Sequence, residues 1–234
     1  MTGDAGAKIG RMAQRRFVPT KASAAVVDHL LEELFEGRLK SGDRIDLNEV
    51  GEALGISRLP VREAIVMLER DGIVSTTYHR GVYVEPFDAD SVLDDFEIMG
   101  LLSGVAVRRL AEQQDLELIA KLKDLVDELK ASDPGDPDRT YELVSEIVTL
   151  EHRAGGSRRL RAELRSHDGF LSKAFRSVIE RGHANTVKAH SRVLRAIVAG
   201  DGEKAAQHRL DDFRDAGRAA VRELERRGVF DHGT

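Results

Sequence analysis

The sequence predicts a mainly α-helical protein in two parts: an N-terminal winged helix-turn-helix of three helices plus a β-hairpin wing, then an all-α bundle of six or seven helices. Three observations carry this. Three short amphipathic segments precede two strand-like runs within residues 22–86; strand signals stop after Pro86; helical periodicity then continues almost unbroken to the C-terminus. The 234 residues, 41% hydrophobic and 33% charged, suit a folded chain of one or two domains.

The first helix spans Ala22 to Phe35, with Val27, Leu30, Leu31 and Leu34 on one face and Gly37 as the stop. Leu39 to Asp43 reads as a turn. Asp46 and Glu49 stand at capping-box spacing before a short helix bearing Leu47, Val50 and Leu54, which Gly55 closes. Ser57 is placed to cap a third helix, Pro60 falls in its first turn, and Val61, Ala64, Ile65 and Leu68 form its buried stripe. Ile73 to Thr77 and Val82 to Val84, joined through Tyr78-His79-Arg80-Gly81, read as the hairpin. Further helices are expected at about 90–113, 115–131, 138–152, 158–181, 184–199 and 203–227, with Asp133-Pro134-Gly135-Asp136-Pro137 as the clearest break. The expected domains are a basic flexible arm over 1–21, the winged domain over 22–86 and the helical domain over 87–230.

Composition excludes several classes. Cysteine is absent, so disulfides, thiolate zinc sites and cysteine nucleophiles are ruled out. No run approaches the ~20 apolar residues of a spanning helix, and the N-terminus lacks an apolar signal core, so the expected location is the cytoplasm. There is no Gly-x-Ser-x-Gly elbow and no phosphate-cradling glycine loop, and an enzyme is not expected. The net charge of −5 opposes a non-specific nucleic-acid coat, whose affinity comes from phosphate neutralisation. Lys8, Arg11, Arg15, Arg16 and Lys21 stand against Asp4 alone in the N-terminal arm, which is either a solvated tail or a reach onto a phosphate backbone.

In a helix-turn-helix the second helix of the pair enters the major groove and offers its N-terminal residues to base edges. Arg58 and Arg62, four residues apart, share a face turned from the Val61, Ile65, Leu68 stripe. Arginine suits bidentate contact with guanine, and Ser57 with the helix N-terminal amides suits a phosphate oxygen. The bland alternative is a solvated surface helix whose arginines pair with Glu63 or neighbouring acids.

The run Leu54-Gly55-Ile56-Ser57-Arg58-Leu59-Pro60-Val61-Arg62-Glu63-Ala64-Ile65, followed by Leu68-Glu69-Arg70-Asp71-Gly72-Ile73-Val74, resembles the signature of the GntR family of bacterial regulators, with Leu59 where threonine is usual. Gly37 to Ile45 and Arg80 to Val84 resemble that family's turn and wing. The resemblance implies contacts to operator DNA from Ser57, Arg58, Leu59 and Arg62 and from a wing tip of His79, Arg80 and Gly81. Asn48 stands where many relatives carry an operator-reading arginine.

The second half resembles the FCD effector domain of the FadR-type branch, through Ala106 to Ala111, the loop Ala154-Gly155-Gly156-Ser157 and the segment His190 to Asp201. Many FCD domains hold a divalent metal with one Asp and three His, and the metal helps hold a small carboxylate. By this resemblance those positions fall on Val144, Val148, His190 and Asp212. Two valines cannot coordinate, and His190 with Asp212 alone falls short of the three or four protein ligands a metal needs, so no metal or other cofactor is expected. His190 shares the face of Val187, Leu194 and Ile197 and reads as a core histidine, while Asp212, off the apolar stripe of the last helix, would flank a pocket or face water. Where relatives carry an arginine and then Leu-Glu, this chain has Met99 and then Leu102-Ser103.

The expected effector pocket is therefore Met99, Leu102, Val144, Val148, His190 and Asp212, taking an apolar or acyl small molecule such as a fatty acyl compound. Two alternatives stay open: a metal and carboxylate sensor of the same family, or a helical domain that only dimerises. The resemblance implies a homodimer; the expected mechanism is a dimer on an inverted-repeat operator, by default a repressor released by ligand, with the sign not fixed by the residues.

Overall fold

The computed structural model describes residues 20–78, 80–86, 88–166 and 182–230. Helix α1 (Lys21–Phe35) starts at Thr20, which forms a reciprocal capping box with Ser23, and buries Val26, Val27, Leu30, Leu31 and Leu34. Strand β1 (Arg44–Ile45) follows, then α2 (Leu47–Leu54), α3 (Arg58–Arg70), β2 (Val74–Thr77) and β3 (Gly81–Val84). The sheet has the order β1-β3-β2, all antiparallel, with Ile45 opposite Val82 and Val74 opposite Val84. The two-residue β1 lies just past the predicted turn; so short a strand carries no alternation for periodicity to detect.

The helical domain comprises α4 (Ala89–Gln113), α5 (Leu116–Ala131), α6 (Pro137–Gly155), α7 (Arg158–Ser166), α8 (His183–Val198) and α9 (Gly202–Arg226). Of these six among the described residues, α4, α5, α6, α8 and α9 start and stop within a few residues of the predicted bounds. Asp88, Asp115, Asp136 and Asp201 accept from the first-turn amides of α4, α5, α6 and α9. The predicted helix over 158–181 is described only to Ser166; residues 167–181 lie outside the described set.

The axis of this domain is the antiparallel pair α4 and α9, each 25 residues long. Glycines let the two backbones close up: a methyl group at Gly100 would lie 3.0 Å from Leu210 and Phe213, and one at Gly217 would lie 2.9 Å from Phe96. Gly155, at the end of α6, is tighter still, since a Cβ there would fall 1.8 Å from the Ala106 carbonyl oxygen.

The buried apolar side chains form two clusters. One runs from the winged domain (Leu31, Ile65, Val82) into the N-terminal half of α4 and the C-terminal half of α9 (Phe96, Phe213, Leu224). The other fills the far end of the bundle with Val107, Leu122, Leu143, Val193 and Ile197. Among the described residues no helix is long and apolar enough to cross a membrane.

Candidate nucleic-acid interface and effector domain

The turn between α2 and α3 is set by Gly55, which takes the left-handed conformation at φ 63° and ψ 30°. The Ile56 amide then donates to the Gly51 carbonyl at 2.8 Å, and a side chain at Gly51 would collide with the Ile56 oxygen at 2.9 Å. This turn fixes the start of α3. Val61, Ala64, Ile65 and Leu68 are buried beneath it, while Ser57, Arg58, Leu59 and Arg62 are exposed. Leu59 is 68% exposed, unusual for leucine. Ser57 occupies the N-cap position, but its hydroxyl makes no capping bond, a correction to the cap role expected of it. Asn48 is exposed in the first turn of α2, its backbone N–H donating to Asp46 at 2.8 Å.

The wing is tied to α3 by the Thr76 amide, which donates to Glu69 at 3.0 Å. At its tip the Arg80 side chain is exposed, and the Tyr83 hydroxyl donates to the Arg80 carbonyl at 3.0 Å. Gly81 has φ +118°, which favours glycine, and the Arg44 side chain lies so close that a Cβ at 81 would stand 3.0 Å from its Nε. Arg44 is an exposed cation at the base of the wing that sequence reasoning passed over; a basic residue in a two-residue strand gives no signal. His79, the remaining expected wing residue, lies outside the described residues.

In the helical domain the six expected pocket residues are divided. Met99 is buried in the core shared with the winged domain, and Leu102 packs against it. Val144 is 3% exposed in the far core, with Val148 packed against it. His190 and Asp212 lie with a polar cluster where α6, α8 and α9 meet. Its centre is Arg209, fully buried. The Arg209 guanidinium donates from Nη2 to both Glu151 oxygens at 2.5 and 2.6 Å, and from Nη1 to Asp212 Oδ2 at 2.7 Å. Nη2 also lies 3.5 Å from His190 Nδ1, which can only accept from it. Asp212 thus neither flanks an open pocket nor faces water, as its place off the apolar stripe had suggested; it neutralises a buried arginine.

Beside this cluster His152 Nε2 and the buried Ser103 hydroxyl share a hydrogen bond of 2.9 Å. Along α4 and α9 these polar groups lie between the two apolar cores: Ser103 falls between Met99 and Val107, and Arg209 with Asp212 between Ala205 and Phe213.

Burial governs the protonation of this belt. It works against the Arg209 charge, but the Coulomb pull of Glu151 and Asp212 outweighs it and holds the guanidinium charged. Burial also pushes the Glu151 and Asp212 carboxyls up, against the attraction of Arg209. His190 is held well below its usual value, and His152 falls to about 4, in both cases by burial and then by repulsion from Arg209. Both imidazoles are neutral at physiological pH. Arg209 and Glu151 did leave a trace in the sequence: charges of opposite sign at core-facing helical spacing, Glu151 four residues after Ile147 and Arg209 four before Phe213.

Separate from these residues, a cleft of about 490 Å³ between α5 and α6 is lined by Lys121, Asp124, Ser145, Glu146 and Arg153 among others. A second, of about 490 Å³ between α5 and α8, is lined by Lys123, Lys130, Ser191 and Arg195 among others.

A winged helix-turn-helix that exposes arginines at the start of α3, joined to an all-helical domain, is the architecture of one class: DNA-binding regulators with an appended helical domain. Family models agree. Residues 22–84 match the bacterial regulatory proteins of the gntR family, and residues 94–214 match the FCD domain. An uncharacterized HTH-type transcriptional regulator of Mycobacterium tuberculosis (strain CDC 1551 / Oshkosh) is 38% identical over 156 residues, a match spanning 66% of this chain and 63% of that one. The uncharacterized HTH-type transcriptional regulator YdhC of Bacillus subtilis (strain 168) is 26% identical over 209 residues, covering 83% of this chain and 89% of its own. Among solved structures, E. coli McbR/YncC superposes with a TM-score of 0.62 at 20% identity, over 88% of this chain and 99% of that one, which bears on the fold alone. The chain belongs to the GntR family of bacterial transcription regulators and carries an FCD effector domain.

Proposed function

We propose that this protein is a cytoplasmic repressor that binds an inverted-repeat operator as a homodimer and is released by a small molecule entering its helical domain. The single observation that carries the DNA half is the exposure of Ser57, Arg58, Leu59 and Arg62 on the first turns of α3, over a buried stripe that leaves them no other role in the fold. Among the described residues neither Arg58 nor Arg62 is held in an ion pair, so both guanidinium groups are open to guanine edges or phosphate oxygens. Arg80 on the wing, and His79 and Gly81 beside it, add a minor-groove contact; Asn48 reaches the same DNA from α2.

Two such winged domains related by a two-fold axis fit two half-sites, and a ligand shifts operator affinity by its differential affinity for the two domain arrangements. The effector is an apolar or acyl molecule, which the apolar residues Val144, Val148 and Met99, at positions that the resemblance makes polar in many relatives, support. Replacing Arg58 and Arg62 together with alanine is expected to abolish discrimination between operator and random DNA while the dimer mass in sedimentation is unchanged. A double variant that still discriminates would falsify the assignment of α3. Native mass spectrometry of protein purified from its host tests the effector: a co-purifying acyl species supports it, and a carboxylate that binds only with metal refutes it.

A further inference from the structure

We propose that the Arg209 guanidinium is a resident cation standing where metal-binding FCD domains hold a divalent ion, so that this helical domain is assembled without a metal. The four positions that correspond to the family's ligands fall on Val144, Val148, His190 and Asp212. The first two are packed in the far apolar core and offer no donor atom. The other two are already committed to Arg209, Asp212 to Nη1 at 2.7 Å and His190 to Nη2 at 3.5 Å, with both Glu151 oxygens also on Nη2 at 2.5 and 2.6 Å. All four residues are buried.

A divalent ion brought to His190 and Asp212 would stand within a few ångströms of a fixed positive charge, in surroundings that screen it poorly. It would also draw Asp212 away from a cation that cannot lose its proton and cannot reach water. The guanidinium does the joining a metal would do: its nitrogens connect α6 through Glu151, α8 through His190 and α9 through Asp212. Arg209 Nε and His190 Nε2 lack a partner among the described residues, so both remaining groups are donors, which a cation cannot use.

The test uses the full-length protein with any affinity tag removed. Elemental analysis is expected to find no stoichiometric divalent metal. Neither EDTA nor added Zn²⁺, Ni²⁺ or Mn²⁺ should move Tm by more than about 1 °C, whereas an ion bound at about a hundred times its Kd would raise it by roughly 5 °C or more. Arg209→Ala leaves Glu151, Asp212 and His190 facing the vacated space; its Tm is expected to fall and to recover in part when Zn²⁺ is added, an effect EDTA reverses. A wild-type protein that carries about one divalent ion per chain and loses Tm on chelation overturns the proposal, as does an Arg209→Ala variant as stable as the wild type. Should that variant fail to fold, the metal content and chelator response of the wild type still decide.

Discussion

Single residues in this chain act mostly through the space or charge that their neighbours deny them. Gly155 is the clearest case. Alanine there would drive a methyl group onto the Ala106 carbonyl, which is backbone and cannot rotate away, so α6 must lift from α4. Gly155→Ala should cost about 3 kcal/mol or more, read as a lowered urea midpoint. His152 gives a pH-dependent counterpart. Its folded pKa of about 4 lies below the ordinary 6.5. The unfolded chain therefore binds the proton more readily, and stability is lost as pH falls from about 6.5 towards 4, by up to ~3 kcal/mol. Thermal melts should show that slope, and His152→Gln, which keeps a partner for Ser103 but does not titrate, should make it shallower, leaving the share of His190, whose depressed pKa acts in the same direction. The raised Glu151 and Asp212 carboxyls act with the opposite sign, since their neutral forms are favoured in the fold, and they are unchanged in that variant. Of this belt, sequence reasoning singled out His190 and Asp212, noted Ser103 only as a departure from relatives, and passed over Arg209, Glu151 and His152. A charged residue at a core position looks like an error in amphipathic pattern until its counter-ion from another helix is known.

At the scale of elements, sequence and structure agree where a cap or a turn is local, Ser57 excepted, whose hydroxyl makes no capping bond. Asp46, Asp88, Asp115, Asp136 and Asp201 start their helices because each carboxylate meets amides two or three residues on. The α4–α9 pair is different, because its closeness depends on glycines that read as weak points in an isolated helix. Gly100 faces Leu210 and Phe213 across the pair. Gly100→Ala is expected to destabilise by roughly 1–2 kcal/mol, and Leu210→Ala to relieve part of that loss, so the double-mutant cycle should show coupling rather than addition. Strict additivity would mean that the helices part freely at this point. Strand β1 belongs here too, since its pairing with β3 was invisible to any pattern two residues long.

For the whole molecule, the winged and helical parts share one apolar core. Val229 and Phe230 beyond α9 are buried in it, a methyl at Gly37 would touch the Arg227 carbonyl at 3.0 Å, and the Arg227 guanidinium donates to the Phe35 carbonyl at 3.5 Å. The end of the last helix thus braces the first. Val229→Ala should cost about 2 kcal/mol and speed amide exchange in α1 as well as in α9; exchange confined to α9 would show that the two parts are uncoupled. Such a joint is a physical route by which a change in the bundle reaches α1 and the α3 packed against it.

By itself the sequence determined the order of the helices and of the hairpin, α3 with its outward arginines and the family, because helix periodicity, capping and a helix-turn-helix signature act over a few neighbouring residues. Only the tertiary structure decided that Arg209 finds Glu151 from a helix 58 residues away, that Met99 and Val144 serve different cores, and that the end of α9 braces α1. Those outcomes rest on charges and volumes brought together by packing, and a buried cation declares its partner only when the helices around it are in place.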